Sequence, residues 1–447
     1  MIITLKAKVQ KSIQNITNGM DKFMGAGPIA NVFSNMAILT GGNIAARVIE
    51  VLTIPIISRI YTPKDFGVLA VYASTLSLLD PLATFRYSMT IPLPRNNRTA
   101  INLVFLCLAI QVLLALVTGA ILLFAGKMIF SLLSMQQLVP YWWLLPLGIL
   151  CLGTYETFTY WATRIKAFGP IAKTKVSQSF FSAAIKIGMG IGGIKPFGLL
   201  LGHLASQVCG VFLLVRKFKE TPFTFKETVT LQKIVFFAKR YKKFPIYQIP
   251  SRFLLSLAVQ MPIFYFSAIF GADVAGLFGM AVSVIAVPMQ LFGTTLAQAY
   301  YAEIAQMSKR NIREIRKLSI GLIKRLFLVS IPFFLLLVFF APKLFAFVLG
   351  ERWTIAGQYA GYLSFYLLTQ FISSPFVHTL TVLEKQSLFF WINSTRVVLV
   401  LVTFFVCKYL SFSPLQTVKS YSLILSSHYV FTLFIILRTL SERIRIS

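Results

Sequence analysis

Long uncharged segments are the feature that most constrains this sequence. The stretch from Leu103 to Phe124 contains no charged side chain, and a helix of about 20 apolar residues crosses the hydrocarbon core of a bilayer. Comparable segments recur along the whole chain, and only 13% of its residues are charged, against about 25% in soluble domains. The chain is therefore predicted to be an integral membrane protein.

The predicted fold is an all-α polytopic membrane protein with about 12 transmembrane helices in two six-helix lobes around a central cavity. An open sheet would leave unpaired backbone groups in lipid, and the apolar runs lack the alternation of a transmembrane barrel. The expected spans are residues 31–58, 66–92, 100–125, 141–163, 173–193, 197–215, 244–270, 274–302, 318–341, 355–379, 388–408 and 415–437.

Lysine and arginine gather in every second connection, most of all in the long connection 216–243. Cytoplasmic loops carry such an excess of basic residues, so both termini are predicted to be cytoplasmic. The net charge of +30 then reflects topology and anionic lipid headgroups rather than nucleic-acid binding. Four aromatic residues at expected outer boundaries are interpreted as interfacial anchors: Tyr141, Trp142, Trp143 and Trp353.

Five parts follow from this topology. They are an amphipathic cytoplasmic segment at 1–30, an N lobe at 31–215, a basic cytoplasmic linker at 216–243, a C lobe at 244–437 and a cytoplasmic tail at 438–447. Six spans in each half give both halves the same orientation, which allows a parallel repeat. Segment 267–276 overlies segment 58–67 with identities at Ser58/Ser267, Ile60/Ile269 and Gly67/Gly276.

Charged residues within the spans are candidate site residues, because each costs at least about 2.5–3.5 kcal/mol in the bilayer unless it has a partner or a wet cavity. The predicted substrate-binding residues are Arg47, Arg86, Lys186, Arg252, Arg396, Gln248 and Gln298. The candidates for coupling to Na+ or H+ are Glu50, Asp80 and Glu156. The cationic excess indicates an anionic cargo, since arginine binds phosphate through a planar fork.

Structural interpretations of the same residues stay open. Arg47 and Glu50 lie at i, i+3 and could simply neutralise each other. Arg86 and Arg396 could extend to a membrane interface.

No metal site is predicted, because Cys107, Cys151, Cys209 and Cys407 match no zinc or redox motif and His203, His378 and His428 share no ligand spacing. The sequence also lacks a P-loop, GxSxG and HExxH, so no enzyme is predicted.

Four further stretches stand out as motifs. The first runs from Gly41-Gly42 through Pro55 and includes Ser58-Arg59 and Tyr61 to Gly67. The second is Phe85-Arg86-Tyr87 followed by Ile91 to Pro94. The third is Tyr160-Trp161-Ala-Thr-Arg164, and the fourth is Leu349-Gly350-Glu351-Arg352-Trp353. Together they resemble the Wzx-like polysaccharide and O-antigen flippases of the multidrug/oligosaccharidyl-lipid/polysaccharide (MOP) exporter superfamily.

This resemblance implies two lobes forming a V, alternating access, and an undecaprenyl-pyrophosphate-linked oligosaccharide of lipopolysaccharide biosynthesis as cargo. It also implies the bacterial inner membrane, with a polysaccharide polymerase and a chain-length regulator as partners. On this expectation the pyrophosphate docks on Arg47, Arg86 and Arg252 while the prenyl tail stays in lipid. Glu50 or Asp80 would couple an ion, and no other cofactor is expected.

Three other functions remain as alternatives. A multidrug or organic-cation exporter of the same superfamily would favour an acidic cavity. A peptidoglycan-precursor flippase often carries more than twelve helices. A membrane-embedded polysaccharide polymerase would be expected to carry a sizeable outer domain, whereas the longest connection here, 216–243, is predicted to be cytoplasmic.

Overall fold

The computed structural model of the protein describes residues 28–132, 135–221, 229–287, 289, 293–307, 311–383 and 385–446. Within these ranges every regular element is a helix. The amphipathic helix predicted within the first 30 residues falls almost entirely outside the described residues. The domain limits proposed from the sequence stay predictions.

The described part of the first half, up to residue 221, contains seven α-helices, which we refer to as the N lobe. They are α1 Pro28–Ile60, α2 Pro63–Ala83, α3 Asn97–Leu132, α4 Leu144–Arg164, α5 Phe168–Ile191, α6 Phe197–Val208 and α7 Val211–Lys219. Helix α8, Leu231–Arg240, follows in the basic connection and packs on α3. The hydroxyl of Tyr87 donates to the carbonyl of Ala238 at 2.9 Å and ties α8 to the end of α2.

The second half forms the C lobe. Its α-helices are α9 Lys243–Phe270, α10 Ala272–Ile285, α11 Thr294–Gln306, α12 Ile312–Leu349, α13 Thr354–Ser373, α14 Val377–Val382, α15 Gln386–Tyr409 and α16 Pro414–Ile446. Helix α1 packs on α5 in the N lobe, and α13 packs on α12 and α16 in the C lobe.

Helices lie in all twelve expected spans, but the sixth and tenth spans are each divided into two α-helices, and in the second span the α-helix ends at Ala83 and a 3-10 helix, Tyr87–Thr90, follows. The break in the sixth span has a clear cause at Gly210, whose φ of +85° is left-handed. A Cβ there would lie 3.1 Å from the Cα of Thr174, so a residue without a side chain suits this turn. The sequence analysis predicted three continuous spans where the chain makes helix pairs.

Seven helical segments are long and apolar enough to cross a membrane by length and composition alone: Pro63–Ala83, Asn97–Ser131, Phe197–Lys219, Lys243–Phe270, Ile312–Leu349, Ser387–Tyr409 and Pro414–Glu442. Helices α1, α5 and α13 are outside this set. They carry polar side chains that line the central cavity, which lowers their mean hydropathy.

Two helix starts cross where the lobes meet. Thr62 caps α2 in a capping box with Asp65, which fixes the turn between α1 and α2. A Cβ on Gly67 would lie 1.9 Å from the carbonyl oxygen of Ala272, and a Cβ on Gly276 would lie 1.9 Å from that of Pro63. The two glycines of the internal repeat thus occupy equivalent places on either side of the crossing, where small residues let the backbones touch.

Trp353 strengthens the same contact between the lobes. Its Nε1 donates to the carbonyl of Ser58 at 2.9 Å, and the Ser58 hydroxyl donates to the carbonyl of Leu349 at 3.0 Å. Phe66 meets the indole edge-on at 5.1 Å between ring centroids. The prediction that Trp353 is an interfacial anchor is wrong, because the side chain is fully buried between the lobes.

We call this end of the bundle, marked by the glycine crossing and Trp353, the closed end. The opposite end is where α2 finishes and α9 begins, and Gln248 and Arg252 are exposed there. We call it the open end.

Candidate functional site

A cavity of about 880 Å³ lies between the two lobes. On α1 its lining runs from Arg47 to Ile57, which at 1.5 Å per residue is about 15 Å of helix. Helices α1, α2, α5 and α6 line it from the N lobe, and α9, α10, α13, α15 and α16 line it from the C lobe. A chamber shared by both lobes changes shape whenever the lobes move relative to each other.

Arg47 and Glu50 lie in the N-lobe wall of this cavity and form an ion pair. The second oxygen of Glu50 accepts a hydrogen bond from the hydroxyl of Ser179 at 3.1 Å. Both charged side chains remain partly exposed, at 32% for Arg47 and 43% for Glu50. The pair therefore neutralises itself while staying within reach of a ligand.

Lys186 and Arg396 also line the cavity, one from each lobe. Among the residues that the structure describes, no carboxylate lies within ion-pair distance of either cation. Arg396 donates to the hydroxyl of Tyr429 at 3.2 Å, and the amide of Gln370 donates to the same oxygen at 3.1 Å. A hydroxyl that accepts two bonds keeps its own hydrogen for a ligand.

The cavity consequently carries an uncompensated positive charge. Arg47 and Glu50 cancel, which leaves Lys186 and Arg396 on facing lobes. Serine, glutamine and tyrosine side chains supply much of the remaining polar surface, among them Ser179, Ser182, Ser206, Gln260, Gln370, Tyr366, Tyr421 and Tyr429. Such a lining suits an anion with several oxygens, because charge-assisted bonds from lysine and arginine are the strongest that these groups make.

The structure places Arg86, Asp80 and Glu156 together, but not among the residues that line the cavity. Arg86 donates to Asp80 at 3.1 Å and to Glu156 at 3.0 Å, and its side chain is only 8% exposed. The hydroxyl of Thr84 donates to the other oxygen of Glu156 at 2.9 Å. These three predicted site residues form an ion network inside the N lobe, in which Arg86 and Glu156 are largely buried and Asp80 is partly exposed. Their expected roles in binding and coupling stay predictions.

Arg252, Gln248 and Gln298 are also outside the cavity lining, and all three side chains are exposed. Arg252 lies near enough to Tyr160 to interact with it electrostatically, as do Arg86 and Glu156. It therefore faces the N lobe at the open end. Gln298 points away from the buried face of α11, on which Tyr300 packs into the C-lobe core.

Sequence reasoning missed several lining residues. His203, which the sequence analysis considered as a metal ligand and rejected, lines the cavity and meets Tyr72 edge-on at 5.8 Å between ring centroids. Tyr421 and Tyr429 were not singled out, although their spacing of two helical turns is the signal that places both on one face of α16. Gln260 bonds to the hydroxyl of Ser74 across the lobes at 2.9 Å, and no local pattern predicts that contact.

Within the described ranges, no three histidine, cysteine or acidic side chains come close enough to hold a metal ion.

Solved structures with the same fold are MATE transporters. The chain is similar to an inward-facing multidrug resistance MATE family transporter of the MOP superfamily, with a TM-score of 0.64 at 12% identity over 90% of this chain and 96% of the other. The outward-facing conformation of such a transporter gives 0.50 at 12% identity over 92% and 96%. A variant of a Vibrio cholerae MATE transporter gives 0.50 at 11% identity over 96% and 98%.

These likenesses confirm the predicted fold, an all-helical membrane protein with two six-helix lobes around a cavity. No curated protein sequence matches the chain. Residues 56–357, more than half of the chain, match a family described as polysaccharide biosynthesis protein. This match confirms the expected relationship to Wzx-like polysaccharide biosynthesis proteins, and the likeness to MOP superfamily transporters shows the fold. The chain belongs to this family of polysaccharide biosynthesis proteins and has the multi-pass membrane fold of MOP superfamily transporters.

Proposed function

We propose that this protein carries an undecaprenyl-pyrophosphate-linked oligosaccharide, of the O-antigen type, from the cytoplasmic to the periplasmic leaflet of a bacterial inner membrane. The observation that carries this proposal is that two cations, Lys186 and Arg396, lie on facing walls of a large polar cavity and have no ion-pair partner among the described residues. The family match to polysaccharide biosynthesis supports a glycan cargo. A polysaccharide polymerase and a chain-length regulator would act on the product.

The pyrophosphate would bind between Lys186 and Arg396, with the free hydrogen of Tyr429 as a further donor. This differs from docking on Arg47, Arg86 and Arg252, since both terminal nitrogens of Arg86 already bond to carboxylates. Arg47 lies in the same chamber and would add a third cation once Glu50 releases it. Arg252, exposed at the open end, is placed to meet an incoming headgroup first.

The two ends of the bundle are packed differently, and this difference supports a mechanism of alternating access. The closed end seals through the glycine crossing and Trp353, while the basic helix α8 lies beside the end of α2 at the open end. Basic segments stay in the cytoplasm, so the open end faces inward and both termini are cytoplasmic. Rocking of the lobes would then expose the cavity to the periplasm.

Glu50 is the coupling candidate that the cavity favours. It holds Arg47 and accepts from Ser179, so binding of H+ or Na+ at this carboxylate would weaken its hold on Arg47 and change the charge available to the cargo. Asp80 and Glu156 would be second candidates, acting through Arg86.

A multidrug exporter is the second candidate function, because the similar structures include multidrug resistance MATE transporters. The charge of the cavity argues against organic cations as cargo. Lys186 and Arg396 would repel a cation, and Glu50 is already paired with Arg47.

The binding proposal is tested with Lys186→Gln, Arg396→Gln and the double variant, each expressed in a strain that lacks the natural protein. Hydrogen bonds to charged groups contribute about 1.5–3 kcal/mol, so each single variant should lower cargo affinity about tenfold or more. We expect less surface polysaccharide, more lipid-linked repeat units in membrane extracts, and the largest loss in the double variant.

Lys343→Gln is the matched control, because Lys343 is an exposed lysine of α12 outside the cavity. It should behave like the unchanged protein. A double variant that reaches normal membrane levels and restores full surface polysaccharide would overturn the proposed site.

A further inference from the structure

A second cavity, the lateral groove, lies between the lobes and has a volume of about 750 Å³. Its N-lobe wall comes from α2 and α3, with Leu79 and Ile121, and its C-lobe wall comes from α9, with Met261 and Phe264. None of these residues lines the central cavity. The groove is therefore separate from the proposed cargo site.

The surface of the lateral groove is mostly apolar. The hydroxyl of Tyr265, which also lines the groove, is buried. Two threonines contribute hydroxyls, but Thr75 donates to the carbonyl of Val71 at 2.8 Å and Thr118 donates to that of Leu114. Each threonine hydroxyl is thus bonded within its own helix. Such walls fit a hydrocarbon chain better than a sugar.

One charged side chain, Lys408, stands among the described residues that line the groove. It is exposed, and the described part of the chain places no carboxylate within ion-pair distance of it. Lys408 lies one helical turn beyond Phe404, which stacks on Tyr265 at 4.4 Å between ring centroids. The lysine therefore lies near the closed end, toward which α9 runs.

The groove borders the lipid-facing surface of the bundle. Ile121 is 49% exposed and Ile269 is 40% exposed, and both residues line it. An apolar channel that borders lipid-facing side chains, with the cation of Lys408 near the closed end, complements a molecule with an anionic head and a long hydrocarbon tail.

We propose that the lateral groove binds an anionic phospholipid from the leaflet at the closed end. One acyl chain lies between α2, α3 and α9, and the phosphate pairs with Lys408. Because the walls belong to different lobes, rocking of the lobes reshapes the groove, and the lipid binds the two states with different affinity. A ligand with such a difference shifts the population of states, so the lipid favours the arrangement in which this end is closed.

Native mass spectrometry of the purified full chain tests the proposal, with phosphatidylglycerol titrated against phosphatidylcholine. We expect retention of phosphatidylglycerol, about fivefold weaker binding of it in Lys408→Gln, and a smaller change for phosphatidylcholine, whose choline cation offsets the charge of its phosphate. Ala268→Phe should lower retention of both lipids, since Ala268 is exposed within the groove.

Lys127→Gln serves as the matched control. Lys127 is an exposed lysine toward the same end of α3 that does not line the groove. Equal phosphatidylglycerol binding by Lys408→Gln and the unchanged protein would overturn the proposal. An equal loss of phosphatidylglycerol binding in Lys127→Gln would also overturn it, because the effect would then come from general surface charge. Displacement of phosphatidylglycerol by undecaprenyl phosphate would overturn it as well, because the groove would then hold the cargo's own tail.

Discussion

Arg86 joins separate parts of the N lobe through its two carboxylate partners. Asp80 lies on α2 and Glu156 on α4, while the arginine itself follows α2 in the left-handed conformation, with φ of 59°. A non-glycine residue in this region costs about 1–3 kcal/mol. Such a backbone persists where the surrounding contacts determine it, as the two ion pairs do here.

Arg86→Ala is expected to destabilise the protein by about 3–5 kcal/mol, because it leaves the largely buried Glu156 without its cation, while the partly exposed Asp80 contributes less. The midpoint of thermal unfolding in detergent and the amount of folded protein in membranes should both fall. Arg95→Ala is the control, since Arg95 is exposed in a connection near the open end. Equal melting midpoints for the two variants would contradict the structural role of the network.

Tyr429→Phe tests the C-lobe wall of the cavity. The change removes the oxygen that accepts from Arg396 and Gln370, and a buried donor left without its partner costs about 1–3 kcal/mol. We expect reduced polysaccharide export at unchanged membrane abundance. Tyr409→Phe, at a side chain that is 81% exposed, should leave export unchanged, and export by Tyr429→Phe at the level of this control would count against the hydroxyl's role.

At this scale the sequence predicts contacts only where the partners are close along a helix. An ion pair between Arg47 and Glu50 was one interpretation of the sequence, because the two residues are three positions apart on α1. Arg86 and Glu156 lie on different helices and are 70 positions apart, so periodicity could not show that they meet. Lys186 and Arg396 were predicted as charged residues within the expected spans, and both line the cavity.

The crossing of α2 and α10 is the element-scale feature on which the closed end depends. Both helix starts carry a glycine where a Cβ would overlap the partner's backbone. The internal repeat in the sequence had already paired these two glycines. A repeat shows that two positions are structurally equivalent but not that they are close in space, so the sequence did not predict that the two turns touch.

Gly67→Val is expected to prevent this crossing from closing, since its Cβ would lie 1.9 Å from the carbonyl oxygen of Ala272. Spin labels at exposed Lys127 and Lys343, in a background lacking the four natural cysteines, should report a longer distance between the lobes. Gly67→Ala should act in the same direction but less strongly, and export should fall in both variants.

Gly41→Ala and Gly321→Ala are the controls for added side-chain volume, because nothing lies within 4 Å of a Cβ at either position. Their distances and export should match those of the unchanged protein. An unaltered distance distribution in Gly67→Val would contradict the glycine crossing as the contact that closes this end.

Taken as a whole, the molecule is a pair of lobes sealed at one end around a cationic chamber. Apolar runs and alternating basic loops predicted the helical membrane fold, because hydrophobicity and the positive-inside rule act along the chain. The sequence did not predict the division of one span into α13 and α14 or the burial of Trp353, because both depend on packing between the lobes. The cargo depends on how charges from both lobes combine in one chamber.

The most direct test of the proposed flippase function is to remove the protein from its strain, quantify surface polysaccharide, and extract and locate lipid-linked repeat units. We predict that surface glycan is lost while undecaprenyl-linked units accumulate at the cytoplasmic face, and that the natural protein restores export whereas the variant with Lys186→Gln and Arg396→Gln does not. Intact surface polysaccharide together with raised sensitivity to cationic drugs would contradict the account and favour an exporter.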